Sequence, residues 1–162
     1  IADKMGAERI GRCEKHDAGV SFYGVYYGQA ALPHAPERLF YLDNAVIRGL
    51  KVYNAEIKSD IPVYDLAAAA GRDPYEMFLG GARSIIRITN PNAAKERRLI
   101  VFRDSFGSSI APLLAAGYSE ITLVDIRYIT PSALGRLIDF TKADDALFLY
   151  SASVINNSET IK

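Results

Sequence analysis

Tryptophan is absent, cysteine occurs once and histidine twice in this 162-residue chain. The lone thiol, Cys13, excludes an internal disulfide but leaves the compartment open. It sits in the charged stretch RCEKHD, where an incidental thiol is a simpler reading than a nucleophile. An excess of either charge is missing as well: Lys and Arg together number 19, as do Asp and Glu. No net field therefore draws the chain to nucleic acid or to anionic lipid. No apolar run approaches the roughly 18 residues that a membrane span requires. Repeats and low-complexity segments are lacking, and no glycine-rich phosphate loop follows a strand, which sets a nucleotide-binding module behind other readings.

What is present is ordinary globular material. Hydrophobic residues make up 49% and charged residues 23% of the chain, enough for a single domain over residues 1–162 to bury its own core. The sequence opens at Ile1, and IADKMG resembles the last turn of a helix stopped by a glycine, Gly6. The expectation is an N-terminally truncated piece of something longer, with any targeting segment or anchor on the preceding part.

The chain has two textures. From about Ala18 to Asn90 it is rich in Tyr, Gly and Pro and in short alternating runs, which predicts a β-rich N-terminal portion. VSFYGVYYG reads as a strand, with Gly24 and Gly28 at bulges or close approaches. AVIRGLKVYNAEI reads as a strand kinked at Gly49, and IPVYDLAAAAG as an extended piece with a helical turn ending at Gly71. DPYEMFL predicts a short helix with Asp73 as N-cap and Pro74 at its first position. RSIIRIT is a strand, closed by the turn NPNAAKER.

From about residue 97 to 158 the pattern becomes regular. RLIVFRD is apolar almost to its end, as a strand buried on both faces should be. SFGSSIAPLLAAG predicts a helix to Gly117 with Pro112 a local irregularity. EITLVDI is a second strand, TPSALGRLIDF a helix started by Thr130 and Pro131, and DALFLYSASVI a third strand. This alternation with short loops predicts an α/β fold with a parallel sheet and right-handed crossovers.

The junction VFRDSFGSS raises the chemical question. Ligands collect at the carboxyl ends of strands in such sheets, and Ser105 stands there, where the backbone must turn into a helix. Amides at the helix start would meet a developing oxyanion with favourable dipole sign. Gly107, Ser108 and Ser109 keep the turn uncrowded. An ordinary crossover-helix cap explains the same residues, and both readings stay open. Asp104 either serves the site or caps the helix, capping being the simpler role. Asp125 and Arg127 end the next strand, where they form an ion pair or meet substrate, and Tyr128 can stack on a sugar ring or donate to an acyl oxygen. The only local candidates for a base are His16, followed by Asp17, and His34 in LPHAPER. Surface histidines in loops are the simpler reading of both.

VFRDSFGSSIAPLLAAGYSEITLVDIRYI resembles the C-terminal core of the DHHW-motif proteins, a bacterial family related to SGNH hydrolases. That family typically carries a D-S-Y/F turn and then a strand ending in D-x-R-Y, matched here by Asp104, Ser105 and Phe106 and by Asp125, Arg127 and Tyr128. FYGVYYGQAALP and DPYEMFLGGARSIIRI are similar to it too, so the resemblance covers nearly the whole chain. It implies a three-layer parallel sheet with an SGNH- or flavodoxin-like core. In the related alginate O-acetyltransferases the serine after such a strand is the nucleophile, partnered by an Asp and a His from an upstream D-x-H motif. The Asp-His-His-Trp motif would supply the equivalent pair, and a chain without tryptophan does not contain it. Where the family often shows G-G-N, this chain has Gly80, Gly81 and Ala82, leaving only a backbone N–H of Gly80 or Gly81 for an oxyanion.

The resemblance thus implies a serine O-acyl esterase or O-acetyltransferase acting on cell-envelope or extracellular carbohydrate, on the outer side of a bacterial membrane. Ser105 would attack the acyl carbonyl, and its turn with Gly80 or Gly81 would hold the oxyanion. Asp125, Arg127 and Tyr128 would meet substrate. No cofactor, metal or nucleic-acid partner is implied; the partner is an acylated glycan, and a membrane enters only through a missing N-terminal anchor. The oligomeric state is not indicated. Without its base the serine is a weak nucleophile, so the chain alone is expected to show little or no activity. The alternative is a non-catalytic envelope domain that keeps the fold and binds glycan or a protein partner, a reading that Ala82 favours.

Overall fold

Short alternating runs and longer apolar runs sort the chain into two sheets. The computed structural model describes residues 1–24, 27 and 33–157; much of FYGVYYGQAALP therefore lies outside the described residues. Strands β1 (Glu14–Phe22) and β2 (Glu37–Asp43) pair antiparallel as a small separate sheet. Strands β3 (Lys51–Asn54), β4 (Ser59–Ile61), β5 (Ile85–Thr89), β6 (Arg98–Arg103), β7 (Glu120–Val124) and β8 (Asp145–Leu149) form the main sheet. Its order is β4-β3-β5-β7-β6-β8.

The expected parallel sheet is one half of a mixed one. β7, β6 and β8 run parallel, whereas β5, β3 and β4 are joined antiparallel. Residues 55–58 alone connect β3 to β4, too few for a parallel crossover of about a dozen residues. Helices are short: α1 (Ala45–Arg48), α2 (Gly107–Ile110), α3 (Pro131–Leu137) and α4 (Ala152–Asn156), with 3-10 turns including Pro74–Met77 and Ala111–Gly117. No helix among the described residues is long and apolar enough to cross a membrane.

Three local expectations are corrected. The stretch expected as one strand kinked at Gly49 is a helix and then a strand: the Asn44 side chain accepts from the Ile47 amide at 3.0 Å and caps α1, and Gly49 ends it. The predicted helix through Gly117 is a single α-turn that tightens into 3-10 at Ala111. Pro112 has no amide to donate to the Ser108 carbonyl, so the i→i−4 ladder stops. The third parallel strand ends at Leu149, and Ser151 starts α4.

Alternation along the strands gives the main sheet two unlike faces. One carries Val52, Ile86, Ile88, Leu99, Val101, Ile121 and Leu123, which join Leu114, Ala115 and Tyr118 in the largest apolar cluster. Each fully buried Ile or Leu there contributes about 2 kcal/mol. By register, the other face carries Tyr53, Ile85, Arg87, Ile100, Phe102, Thr122, Val124 and Phe148. Leu134 of α3 packs on Ile85, Ile100 and Val124, covering the middle of that face. The small sheet docks through Leu39 onto Met77 and Phe78, with Tyr75 beside them.

Candidate active site

The carboxyl ends of the three parallel strands meet at one place. β6 delivers Arg103, Asp104 and Ser105, β7 delivers Asp125 and Arg127, and β8 delivers Tyr150 and Ser151. Arg103, Asp104 and Asp125 are buried, Ser105 is half-buried, and Phe106 and Tyr128 are exposed. Sequence reasoning passed over Tyr150, because DALFLY gives no sign of where the strand stops; a polar tip after an apolar run is the only signal.

Asp104 builds the serine turn. Its Oδ1 accepts from the Phe106 amide at 3.0 Å and its Oδ2 from the Ser151 amide at 2.6 Å. Its carbonyl accepts from the Gly107 amide at 3.1 Å, and its own amide donates to Leu149 at 3.3 Å. Both carboxylate oxygens are thus committed to backbone, in the manner of an N-cap that also clips the neighbouring strand end. Phe106 and Gly107 amides are thereby withdrawn from any oxyanion. The Ser105 amide has no acceptor among the described residues. With α2 so short, the dipole argument weakens, and individual amides carry what remains.

Arg103 is the floor. Its side chain is fully buried, its guanidinium donates to the Asp104 carbonyl at 3.4 Å and the Arg83 carbonyl at 3.3 Å, and it lies 3.8 Å from Asp125. Burial pulls its pKa below the ordinary arginine value, and the Asp125 carboxylate opposes that pull. The turn rests on it closely: a Cβ at Gly107 would lie 2.6 Å from the Arg103 Cβ. Only glycine fits.

The second wall is the loop at Gly80 and Gly81. Leu79, Gly80 and Gly81 all have positive φ, at 53°, 69° and 78°. A leucine in that region costs about 1 kcal/mol, and complete burial of its side chain in the main core holds it there. The Gly81 carbonyl accepts from the buried Ser108 hydroxyl at 3.5 Å, which brings this loop against the turn. The Gly81 amide donates to the Phe78 carbonyl at 3.0 Å. It is therefore not a free donor, correcting one of the two expected oxyanion groups. The Gly80 amide has no acceptor among the described residues.

Asp125 and Arg127 form a forked ion pair, with Nε to Oδ1 at 2.8 Å and Nη2 to Oδ2 at 2.6 Å. That bond raises the Arg127 pKa above its usual value. Asp125 is sealed from solvent and cannot be touched by substrate; Arg127 and Tyr128 can. The Tyr150 hydroxyl is shielded and unpartnered. Burial, followed by the Asp125 and Asp104 carboxylates, pushes its pKa up to about 12. At neutral pH it is a neutral donor.

A base does not reach Ser105 from the described residues. His16 lies on β1, stacked on Tyr41 at 5.2 Å and 3.6 Å from Glu14. The His16–Asp17 alternative is not formed: Asp17 pairs with Arg38 at 2.5 Å and accepts from the Gly19 amide at 2.8 Å. His34 is exposed.

Residues 5–124 match the DHHW protein family. The chain belongs to the DHHW family. Among solved structures, a DHHW family protein from Eubacterium siraeum is 18% identical with a TM-score of 0.69, over 98% of this chain and 55% of that one. Bacillus cereus PatB1 with a sulfonyl adduct is 20% identical with a TM-score of 0.67, over 95% of this chain and 54% of that one. A further PatB1 structure is 24% identical with a TM-score of 0.58, over 76% and 43%. At these identities the likeness is one of fold, and this DHHW chain spans about half the length of the solved proteins. No curated protein matches it.

Proposed function

We propose that Ser105 is the nucleophile of a serine O-acyl transfer site, in an SGNH-like three-layer core that acts on cell-envelope or extracellular carbohydrate outside the cytoplasm. One observation carries the reading: Asp104 spends both carboxylate oxygens on shaping a turn that leaves Ser105 half-buried at a strand end, its amide without an acceptor among the described residues. Membership of the DHHW family and likeness to PatB1 support a cell-envelope acyltransferase-like role. The sulfonyl adduct carried by PatB1 is the kind of product that a nucleophilic side chain gives.

In the proposed step the Ser105 Oγ bonds to the acyl carbon while its proton passes to an imidazole. The tetrahedral oxyanion is met by the Ser105 and Gly80 amides, donors of the sort that together supply several kcal/mol. Collapse breaks the ester C–O bond, and the imidazolium returns the proton to the leaving alcohol. Water or a sugar hydroxyl then takes the acyl group by the reverse path, giving an esterase or a transferase. The imidazole belongs to an Asp-His pair that does not reach Ser105 from among the described residues.

The test is p-nitrophenyl acetate turnover by the whole gene product and by this chain. Activity in the first, abolished by Ser105→Ala, with little in the second, is the expected result. Equal, Ser105-independent rates in both would refute it. The second reading, a glycan- or protein-binding domain without chemistry, is favoured by Ala82 and by the lack of any described base at Ser105.

A further inference from the structure

The end of β1 and the start of the 3-10 turn Pro74–Met77 flank an open cavity of about 370 Å³. That volume falls at the lower end of small-ligand sites, about 300–1,000 Å³. Phe22 and Tyr23 form one wall, Arg72 and Asp73 the other, and Gly24 and Gly71 lie between them. Glycines at such a rim leave the backbone open to close approach. Tyr23 is 52% exposed, and its ring is braced by Tyr27, with centroids 4.4 Å apart.

The polar wall has capacity to spare. The Asp73 Oδ1 accepts from the Tyr75 amide at 3.0 Å. Neither its Oδ2 nor the Arg72 guanidinium has a partner among the described residues. One cation and one carboxylate side by side cancel in charge while offering a donor fork and an acceptor. A pyranose ring matches this lining, because its C–H face stacks on an aromatic ring and its hydroxyls both donate and accept. A phosphate or a uronate would meet the Asp73 carboxylate. A wholly apolar ligand would leave Arg72 and Asp73 unpaired against it.

The aromatic wall is also tied to the serine turn. Phe22 stacks on Tyr75 at 5.9 Å, and Tyr75 meets the exposed Phe106 edge-on at 6.4 Å. The Tyr75 hydroxyl donates to the Ser109 hydroxyl at 2.7 Å, which donates to the Phe106 carbonyl at 3.1 Å. We infer that the cavity holds one neutral pyranose unit of a saccharide chain, stacked on Tyr23 and hydrogen-bonded by Arg72 and Asp73. The choice of a saccharide rests on the O-acyl transfer reading as well as on the lining. Binding in the cavity does not need Ser105 to be a nucleophile.

The test is isothermal titration calorimetry of the whole gene product with chitotetraose, cellotetraose and tetragalacturonate. The expected result is that a neutral tetrasaccharide binds more tightly than the uronate. Tyr23→Ala and Arg72→Ala should each weaken that binding roughly tenfold, whereas Tyr23→Phe and Ser105→Ala should leave it unchanged. Tyr23 and Arg72 are exposed, so neither truncation threatens the core. No binding of either neutral sugar, tighter binding of the uronate, or binding untouched by either truncation would overturn the inference. Loss of binding in Ser105→Ala would move the saccharide from the cavity to the serine turn and overturn it too. Normal binding in a protein whose ester turnover does not depend on Ser105 would refute the transfer reading and leave the cavity standing.

Discussion

The Asp104 Oδ2 accepts a hydrogen bond from the Ser151 amide at 2.6 Å, across 47 residues of sequence. With Oδ1 on the Phe106 amide, this one carboxylate fastens the end of β6 to the end of β8 and sets the angle at which Ser105 leaves the sheet. A side chain between a strand and a nucleophile is usually asked for chemistry; here it supplies geometry.

Asp104→Ala therefore loses two charge-assisted bonds and orphans two amides, at a cost of about 3 kcal/mol. Urea unfolding measures it. A shift of the size found for exposed positions, within about 0.5 kcal/mol, would mean that the turn holds without its carboxylate.

Gly107→Ala drives a methyl into Arg103 and is expected to cost about 2 kcal/mol, as overpacking does. Gly135 is the contrast. A Cβ there meets nothing within 4 Å, and the position is exposed in α3, so Gly135→Ala should stabilise by about 0.5 kcal/mol. Thermal midpoints of the two variants should move in opposite directions.

Tyr150 makes stability pH-dependent at the alkaline end. Its folded pKa, about 12, stands above the value of about 10 in an unfolded chain. The neutral phenol is therefore favoured by folding, a contribution fully present below about pH 10 and lost as pH rises toward 12. Tyr150→Phe should flatten the fall in urea midpoint over that window. Near pH 7 it should cost little, since the hydroxyl has no partner to lose. A large loss at neutral pH would reveal a hydrogen bond that the structure lacks.

The sequence makes the three parallel strands legible, because RLIVFRD, EITLVDI and DALFL are apolar on both faces and each crossover begins with cap-forming residues. The serine turn is legible for the same reason, as a polar DSF after an apolar run. The antiparallel half is harder: Ala-Val-Ile-Arg is β-branched enough to read as strand, and only the Asn44 cap makes it a helix. The burial of Arg103 is hidden, since a charged residue at a strand end normally reaches solvent; its partners, the carbonyls of Asp104 and Arg83 and the Asp125 carboxylate, come mostly from other segments. The commitment of the Gly81 amide to Phe78 depends on a left-handed turn that begins at a leucine, which no propensity announces.

The most direct test of the central claim treats the whole gene product with phenylmethylsulfonyl fluoride and maps the adduct by peptide mass spectrometry. The account predicts one sulfonyl group, on the peptide containing Ser105, and none in Ser105→Ala. Efficient labelling of another residue with Ser105 unmodified, or no labelling of an otherwise folded protein, would contradict it.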